Sequence, residues 1–190
     1  MFNKTIPGLF LVFCLCTLGI NPKPVSAQFN CQFISDSNYH LLKLALLKGK
    51  GALSQKWCNY HTGNYTECSD QALKNKHPGV DYADAAGTPV YAPIDGRVIR
   101  VTKGSDCQRI DCLSTLAIYN SSKNKTFIFL HMNSINVGVG ATVRFGDLVG
   151  TIGKRGPASG NHLHYEARDG QRTAAALCIN STVNPYTNSF

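Results

Sequence analysis

From His77 to the C-terminus, short apolar runs alternate with turns rich in Gly, Pro, Asn and Asp. Runs of this length, bounded by such turns, predict β-strands in an antiparallel sheet and not βαβ units. The predicted strands are Thr88–Ala92, Gly96–Thr102, Thr115–Asn120, Thr126–His131, Leu148–Ile152 and His162–Arg168.

The segment before this region has a different pattern. Residues Asn38 to Leu47 are dense in leucine, with Ser37 placed as an N-cap and Gly49 as a stop, which predicts one helix. Residues 69–75 form a second, short helix candidate. We therefore expect residues 28–75 to be a small, partly helical N-terminal extension packed on a main domain of residues 76–190.

The first residues have the pattern of a leader. Lys4 precedes a mostly apolar run from Ile6 to Ile20, and small residues follow at Val25 and Ala27. This order predicts a secretory signal peptide over residues 1–27, cleaved after Ala27. The alternative, a membrane anchor, is disfavoured because a spanning helix needs about 20 apolar residues. A secreted or periplasmic protein without stable membrane insertion is expected.

The cysteine count and the net charge give information on the redox environment and on the partner. The 190 residues carry a formal net charge of +8 and eight cysteines, six of which follow the predicted leader. An even cysteine count in an exported chain predicts three disulfides. Spacing favours the pairs Cys107–Cys112, Cys58–Cys68 and Cys31–Cys178 among the 15 possible connectivities. The charge indicates an anionic partner, without separating nucleic acid, a membrane surface and a cell-wall polymer.

Four histidines and one aspartate are candidates for a metal-binding or catalytic site. His77 and Asp81 lie four residues apart in a loop-like segment, and His131 ends an apolar strand. His162 and His164 should share one face of a strand, because side chains alternate along it. Nitrogen and carboxylate ligands with an open position are typical of catalytic zinc. Spacing alone is equally compatible with surface histidines or a buried structural histidine.

The surrounding residues resemble a known family. The blocks are His77-Pro78-Gly79-Val80-Asp81-Tyr82-Ala83, Gly87-Thr88-Pro89-Val90-Tyr91-Ala92-Pro93, Asp95-Gly96-Arg97-Val98, Gly146-Asp147-Leu148-Val149-Gly150 and Gly160-Asn161-His162-Leu163-His164-Tyr165-Glu166. In order and spacing they are similar to the lysostaphin-type (LytM-like) zinc endopeptidases, over about residues 76–186.

The resemblance implies a fold, a metal and a reaction. The fold would be mainly β, an antiparallel sheet whose groove holds one Zn²⁺ ion. His77, Asp81 and His164 would be the zinc ligands, and His131 and His162 would help deprotonate the attacking water. The substrate would be a peptide of peptidoglycan, and neither a nucleic-acid partner nor an oligomer is expected.

Two departures and two alternatives accompany this interpretation. Phe129 stands where the family often has Tyr, and the cysteine-containing stretch Gly104 to Leu113 replaces the usual loop. A non-catalytic member of the same fold, acting as a secreted binding or signalling protein or as a hydrolase activator, is the first alternative. A wall-binding module that needs no metal is the second. The five filled positions favour the enzyme.

Overall fold

A computed structural model describes residues 31–60, 68 and 71–190. Within these residues the compact unit runs from Cys31 to Phe190. The predicted signal peptide, residues 1–27, lies outside the described residues and stays a prediction. Among the residues that are described, no helix is both long enough and apolar enough to cross a membrane.

The fold is mainly antiparallel β-structure, which confirms the predicted class. Its strands are β1 (Ala52–Gln55), β2 (Val80–Ala83), β3 (Pro89–Tyr91), β4 (Gly96–Thr102), β5 (Thr115–Asn120), β6 (Lys125–Leu130), β7 (Ser134–Ile135), β8 (Thr142–Val143), β9 (Leu148–Thr151) and β10 (His162–Asp169). Seven form a sheet in the order β1-β2-β10-β6-β5-β4-β8, and β3-β9-β7 form a smaller sheet.

The core lies along the centre of the larger sheet. Five successive residues of β6, from Thr126 to Leu130, are buried, so both faces of this strand are covered. Phe129 packs edge-on against Tyr165 of β10, with ring centroids 5.1 Å apart. Each such aromatic side chain contributes about 1.5–3 kcal/mol by leaving water. This packing fixes β10, the strand that carries His162 and His164.

All six predicted strands exist within one or two residues of their predicted ends, and four further strands were not predicted. One of these, β2, corrects the expectation that His77 and Asp81 project from a loop. Asp81 lies within β2, which pairs with β1 on one side and β10 on the other. Two-sided pairing makes this segment a strand, although its sequence contains no alternation long enough to predict one.

The N-terminal helix begins earlier than predicted. Helix α1 spans Asp36–Leu47, and its N-cap is Ser35, whose side chain accepts a hydrogen bond from the Asn38 amide at 3.2 Å. Ser37 lies inside the helix because Ser35 already has the extended backbone and the hydroxyl that a cap requires. A single 3-10 turn, Gln71–Leu73, lies within the predicted second helix, and α2 spans Pro185–Ser189.

One predicted disulfide is present and two are corrected. Cys107–Cys112 is bonded as predicted, but Cys58 pairs with Cys31 and Cys68 pairs with Cys178. The prediction paired cysteines by their spacing along the sequence. The actual pairs differ because the chain after β10 folds back on the N-terminal segment. The Trp57 indole donates to the Thr182 hydroxyl at 3.0 Å, and Cys68 lies 5.0 Å from Cys178 between Cα atoms.

Candidate metal centre

Two paired strands set the position of the candidate ligands. In the antiparallel register of β2 and β10, Asp81 lies directly opposite His164. His77 comes four residues before Asp81, just ahead of β2. Because partner residues in such a ladder lie about 4.5–5.5 Å apart, a carboxylate and an imidazole at these positions can meet.

The three side chains point their donor atoms at one another. His164 Nδ1 lies 2.8 Å from Asp81 Oδ1 and 3.2 Å from His77 Nε2. His77 Nε2 lies 3.3 Å from Asp81 Oδ2. The three residues are buried, and their donor atoms all lie within 4.8 Å of one another, close enough to share one metal ion.

The outer nitrogen of each imidazole has its own partner. His164 Nε2 donates to the buried Glu166 carboxylate at 3.0 Å, and His77 Nδ1 donates to the Lys56 carbonyl at 3.3 Å. These bonds place a proton on each outer nitrogen, so that the inner nitrogens are the ones that a metal ion would bind in place of a proton. Imidazoles that bind metals are usually held this way. Two nitrogens and one carboxylate oxygen fit Zn²⁺ with an open position.

In the metal-free site, the surrounding groups favour a negative charge on Asp81 and a positive charge on His164. Burial alone would raise the pKa of Asp81, but His164 and His77 hold it far below its usual range. Burial alone would lower the pKa of His164, but Asp81 and Glu166 raise it to about 10. A proton on His164 therefore balances the two carboxylates, at the point where a cation would otherwise stand.

His131 and His162 lie beside these donors. Their rings are 4.6 Å apart between centroids, and His162 Nε2 is 3.9 Å from Asp81 Oδ2. His131 has a left-handed backbone, with φ of 63°, which is uncommon outside glycine and is often found at functional positions. Its Nδ1 donates to the Arg155 carbonyl at 2.9 Å, and that of His162 donates to the Gly160 carbonyl at 2.9 Å.

The pKa of His131 is lowered to about 3, first by burial and then by the neighbouring His162 and His164. The ring is therefore neutral at ordinary pH, and its Nε2 is an acceptor. All five predicted site residues line one open cavity of about 400 Å³. The structure thus brings together side chains from three separate blocks of sequence.

The sequence interpretation assigned no role to Glu166 and none to the carbonyls of Lys56 and Arg155. Glu166 follows His164 by two residues on a strand, so the two-residue repeat could have identified it as a same-face neighbour. Backbone carbonyls leave no such signal. His40 is exposed on α1 and does not line this cavity.

The antiparallel fold and the two-imidazole, one-carboxylate donor set define a β-protein with a candidate site for a divalent cation. Comparison with known proteins gives the family: the chain belongs to peptidase family M23, a metallopeptidase family whose pattern matches residues 75–176, more than half of the chain. The resemblance stated from the sequence is thereby confirmed.

Relatives and solved structures agree with this assignment. Peptidoglycan DD-endopeptidase ShyB of Vibrio cholerae is 35% identical over 101 residues, covering 53% of this chain and 22% of the relative. DD-carboxypeptidase/endopeptidase Mpg of Neisseria meningitidis is 32% identical over 93 residues, covering 48% and 20%. The chain thus spans less than a third of the length of these relatives. The catalytic domain of lysostaphin from Staphylococcus simulans shares the fold, with a TM-score of 0.58 at 19% identity over 73% of this chain and 92% of that one.

Proposed function

We propose that this protein is an exported zinc-dependent endopeptidase that hydrolyses peptide bonds in peptidoglycan. One observation carries the proposal: three buried donor atoms converge in an open cleft, and two further histidines stand beside them. Membership of peptidase family M23 supports the reaction class, and the names of the relatives support the polymer. The three disulfides of the described residues support an oxidising compartment outside the cytoplasm.

The proposed ligands are His77, Asp81 and His164, with Glu166 orienting His164. A zinc ion held by them would polarise the scissile carbonyl and lower the pKa of water. His131 Nε2, unprotonated and facing the cavity, accepts a hydrogen bond from the attacking water, takes its proton as the C–O bond forms, and returns a proton to the amine nitrogen as the peptide C–N bond breaks. His162, next to Asp81, is the group placed to stabilise the developing oxyanion.

The test separates metal binding from turnover. Purified protein lacking the predicted leader should bind one zinc ion per chain and release free amines from purified peptidoglycan, and a chelator should abolish this release. His131→Ala should keep the metal and lose activity at least about 100-fold, since proton transfer by a positioned side chain contributes that much. His164→Ala should lose both.

His40→Ala is the matched control, because His40 is an exposed histidine outside the cleft. It should change neither zinc content nor activity. Stoichiometric zinc with no chelator-sensitive cleavage of any wall preparation would favour the non-catalytic binding protein. Binding to walls by the metal-free protein alone would favour the wall-binding module.

A further inference from the structure

The candidate metal centre lies where two cavities meet. The first, described above, holds all five predicted site residues. The second has a volume of about 340 Å³, and it shares Asp81, Ser159 and His162 with the first. The cleft therefore extends past His162 in a second direction, and an extended peptide bound across the centre would place side chains in both cavities.

The first cavity has an apolar outer wall. Ile110 and Leu177 line it and are 66% and 44% exposed, with Leu113 and Ala175 beside them. Both exposed side chains belong to segments that disulfides hold in place. Ile110 lies within the loop closed by Cys107–Cys112, and Leu177 directly precedes Cys178. A wall fixed before binding loses little conformational entropy when it contacts a ligand.

The second cavity has a polar wall. Strand β1 supplies Ser54 and Gln55, and the loop before β10 supplies Asn161. Gln55 Nε2 donates to the Tyr60 carbonyl at 2.8 Å, and the Tyr60 side chain, 68% exposed, also lines the cavity. Three of these residues precede residue 75, where the match to the family begins. Part of the polar wall is thus built by the segment of the chain outside the family pattern.

We infer that this cleft selects peptides with an aliphatic side chain on one side of the scissile bond and a polar side chain on the other. Ile110 and Leu177 are the specificity-determining residues on the aliphatic side. The inference rests on the proposed peptidase function. A glycine at the aliphatic position leaves the apolar wall in contact with water, whereas an alkyl group covers it. One added alkyl carbon in such a pocket changes kcat/KM about 10- to 200-fold.

Two series of peptides test this with the zinc-loaded protein. Each series varies one residue flanking the scissile bond among glycine, alanine, norvaline, serine and glutamine, and kcat/KM is measured for each peptide. In one series the wild type should prefer the aliphatic residues over glycine by at least about 10-fold. Ile110→Ser and Leu177→Ser should each reduce that preference several-fold. In the other series the wild type should favour serine or glutamine over norvaline.

Val139→Ser is the matched control, because Val139 is 66% exposed and lines neither cavity. It should leave both ratios unchanged. Equal cleavage of glycine and aliphatic peptides by the wild type in both series would overturn the inference while leaving the proposed peptidase function standing. So would a preference that neither variant alters.

Binding provides a readout that does not depend on turnover. Fluorescently labelled versions of the same peptides are titrated into chelator-treated protein. The wild type should bind the aliphatic peptides more tightly than the glycine peptide, and Ile110→Ser should lose that difference. If no peptide is cleaved but this difference is found, the proposed function fails and the aliphatic subsite stands. If peptides are cleaved but all bind equally, the inferred aliphatic subsite is overturned and the proposed peptidase function stands.

Discussion

Glu166 shows how a residue without contact to a metal can define a metal site. It is 1% exposed, it accepts from His164 Nε2, and it also accepts from the Ala176 amide at 2.9 Å. The amide fixes the carboxylate, and the carboxylate fixes the imidazole. The proposed ligand His164 is therefore oriented by a chain of bonds that begins in the segment after β10.

Replacing Glu166 should weaken zinc binding without removing a ligand. Glu166→Gln retains the size but not the charge, and loss of such a partner typically lowers metal affinity about 10- to 100-fold. Competition with a chromogenic chelator measures the affinity. Asp169→Asn is the control, because Asp169 is the exposed end of the same strand and pairs with Lys125. Equal zinc affinity for wild type and Glu166→Gln would contradict this orienting role.

Gly79 is required by close approach and not by its backbone angle. A Cβ at this position would stand 2.6 Å from His164 Nε2 and 2.6 Å from the Tyr165 carbonyl oxygen. The first of these atoms makes the bond to Glu166. Only a residue without a side chain lets the chain between His77 and Asp81 pass so close to His164.

Gly79→Ala should therefore damage the metal site and the fold together. Overpacking of this kind costs about 1–3 kcal/mol of unfolding free energy, and a displaced His164 should lower zinc affinity by at least about 10-fold. Urea unfolding and chelator competition measure the two effects. Gly138→Ala is the control, since a Cβ there meets nothing within 4 Å. Unchanged zinc affinity in Gly79→Ala would show that His164 can shift without loss.

Among the strands, the sequence predicted those whose bounds are set by their own residues and by the turns that flank them. Strands β4 and β5 have their predicted bounds, because apolar and β-branched residues fill them between clear turns. Strand β1 and the 2-residue strands β7 and β8 were missed, because such short elements exist only through their partners. The meeting of His77, Asp81 and His164 was predictable from the order of the family motifs, but the hydrogen bond between Glu166 and the Ala176 amide depends on tertiary folding.

The observed disulfide pairs lead to a prediction about the free energy of unfolding. Cys68–Cys178 closes a sequence separation of 110 residues, and Cys107–Cys112 closes one of 5. In the chain-entropy model, the longer loop contributes about 5 kcal/mol and the shorter about 2 kcal/mol. Paired Cys→Ser variants should lower the free energy of unfolding in that order, as measured by urea denaturation. A larger loss from the Cys107–Cys112 variant would show that the short loop stabilises the fold by other means.

Over the whole molecule, the buried charges of the metal centre should make the stability of the metal-free protein depend on pH. The folded-state pKa of His164, about 10, lies above its ordinary value of 6.5. Its contribution to stability is therefore complete below 6.5 and is lost as the pH rises through 10. The folded-state pKa of His131, about 3, lies below 6.5, so stability falls as the pH drops from 6.5 towards 3. The depressed pKa of Asp81 adds to the loss below about pH 4.

The free energy of unfolding of chelator-treated protein should thus be highest at about pH 6.5. Saturating zinc should remove the decline in stability at alkaline pH, because a metal ion replaces the proton that His164 otherwise holds. Free energies of unfolding in urea, measured from about pH 4 to about pH 9 with chelator or with zinc, test both statements. His40→Ala should reproduce the wild-type curve, and His131→Asn should flatten its acid side. A metal-free protein that gains stability between about pH 7 and pH 9 would contradict the proton on His164. An alkaline decline that persists in saturating zinc would instead show that the ion does not bind through this imidazole.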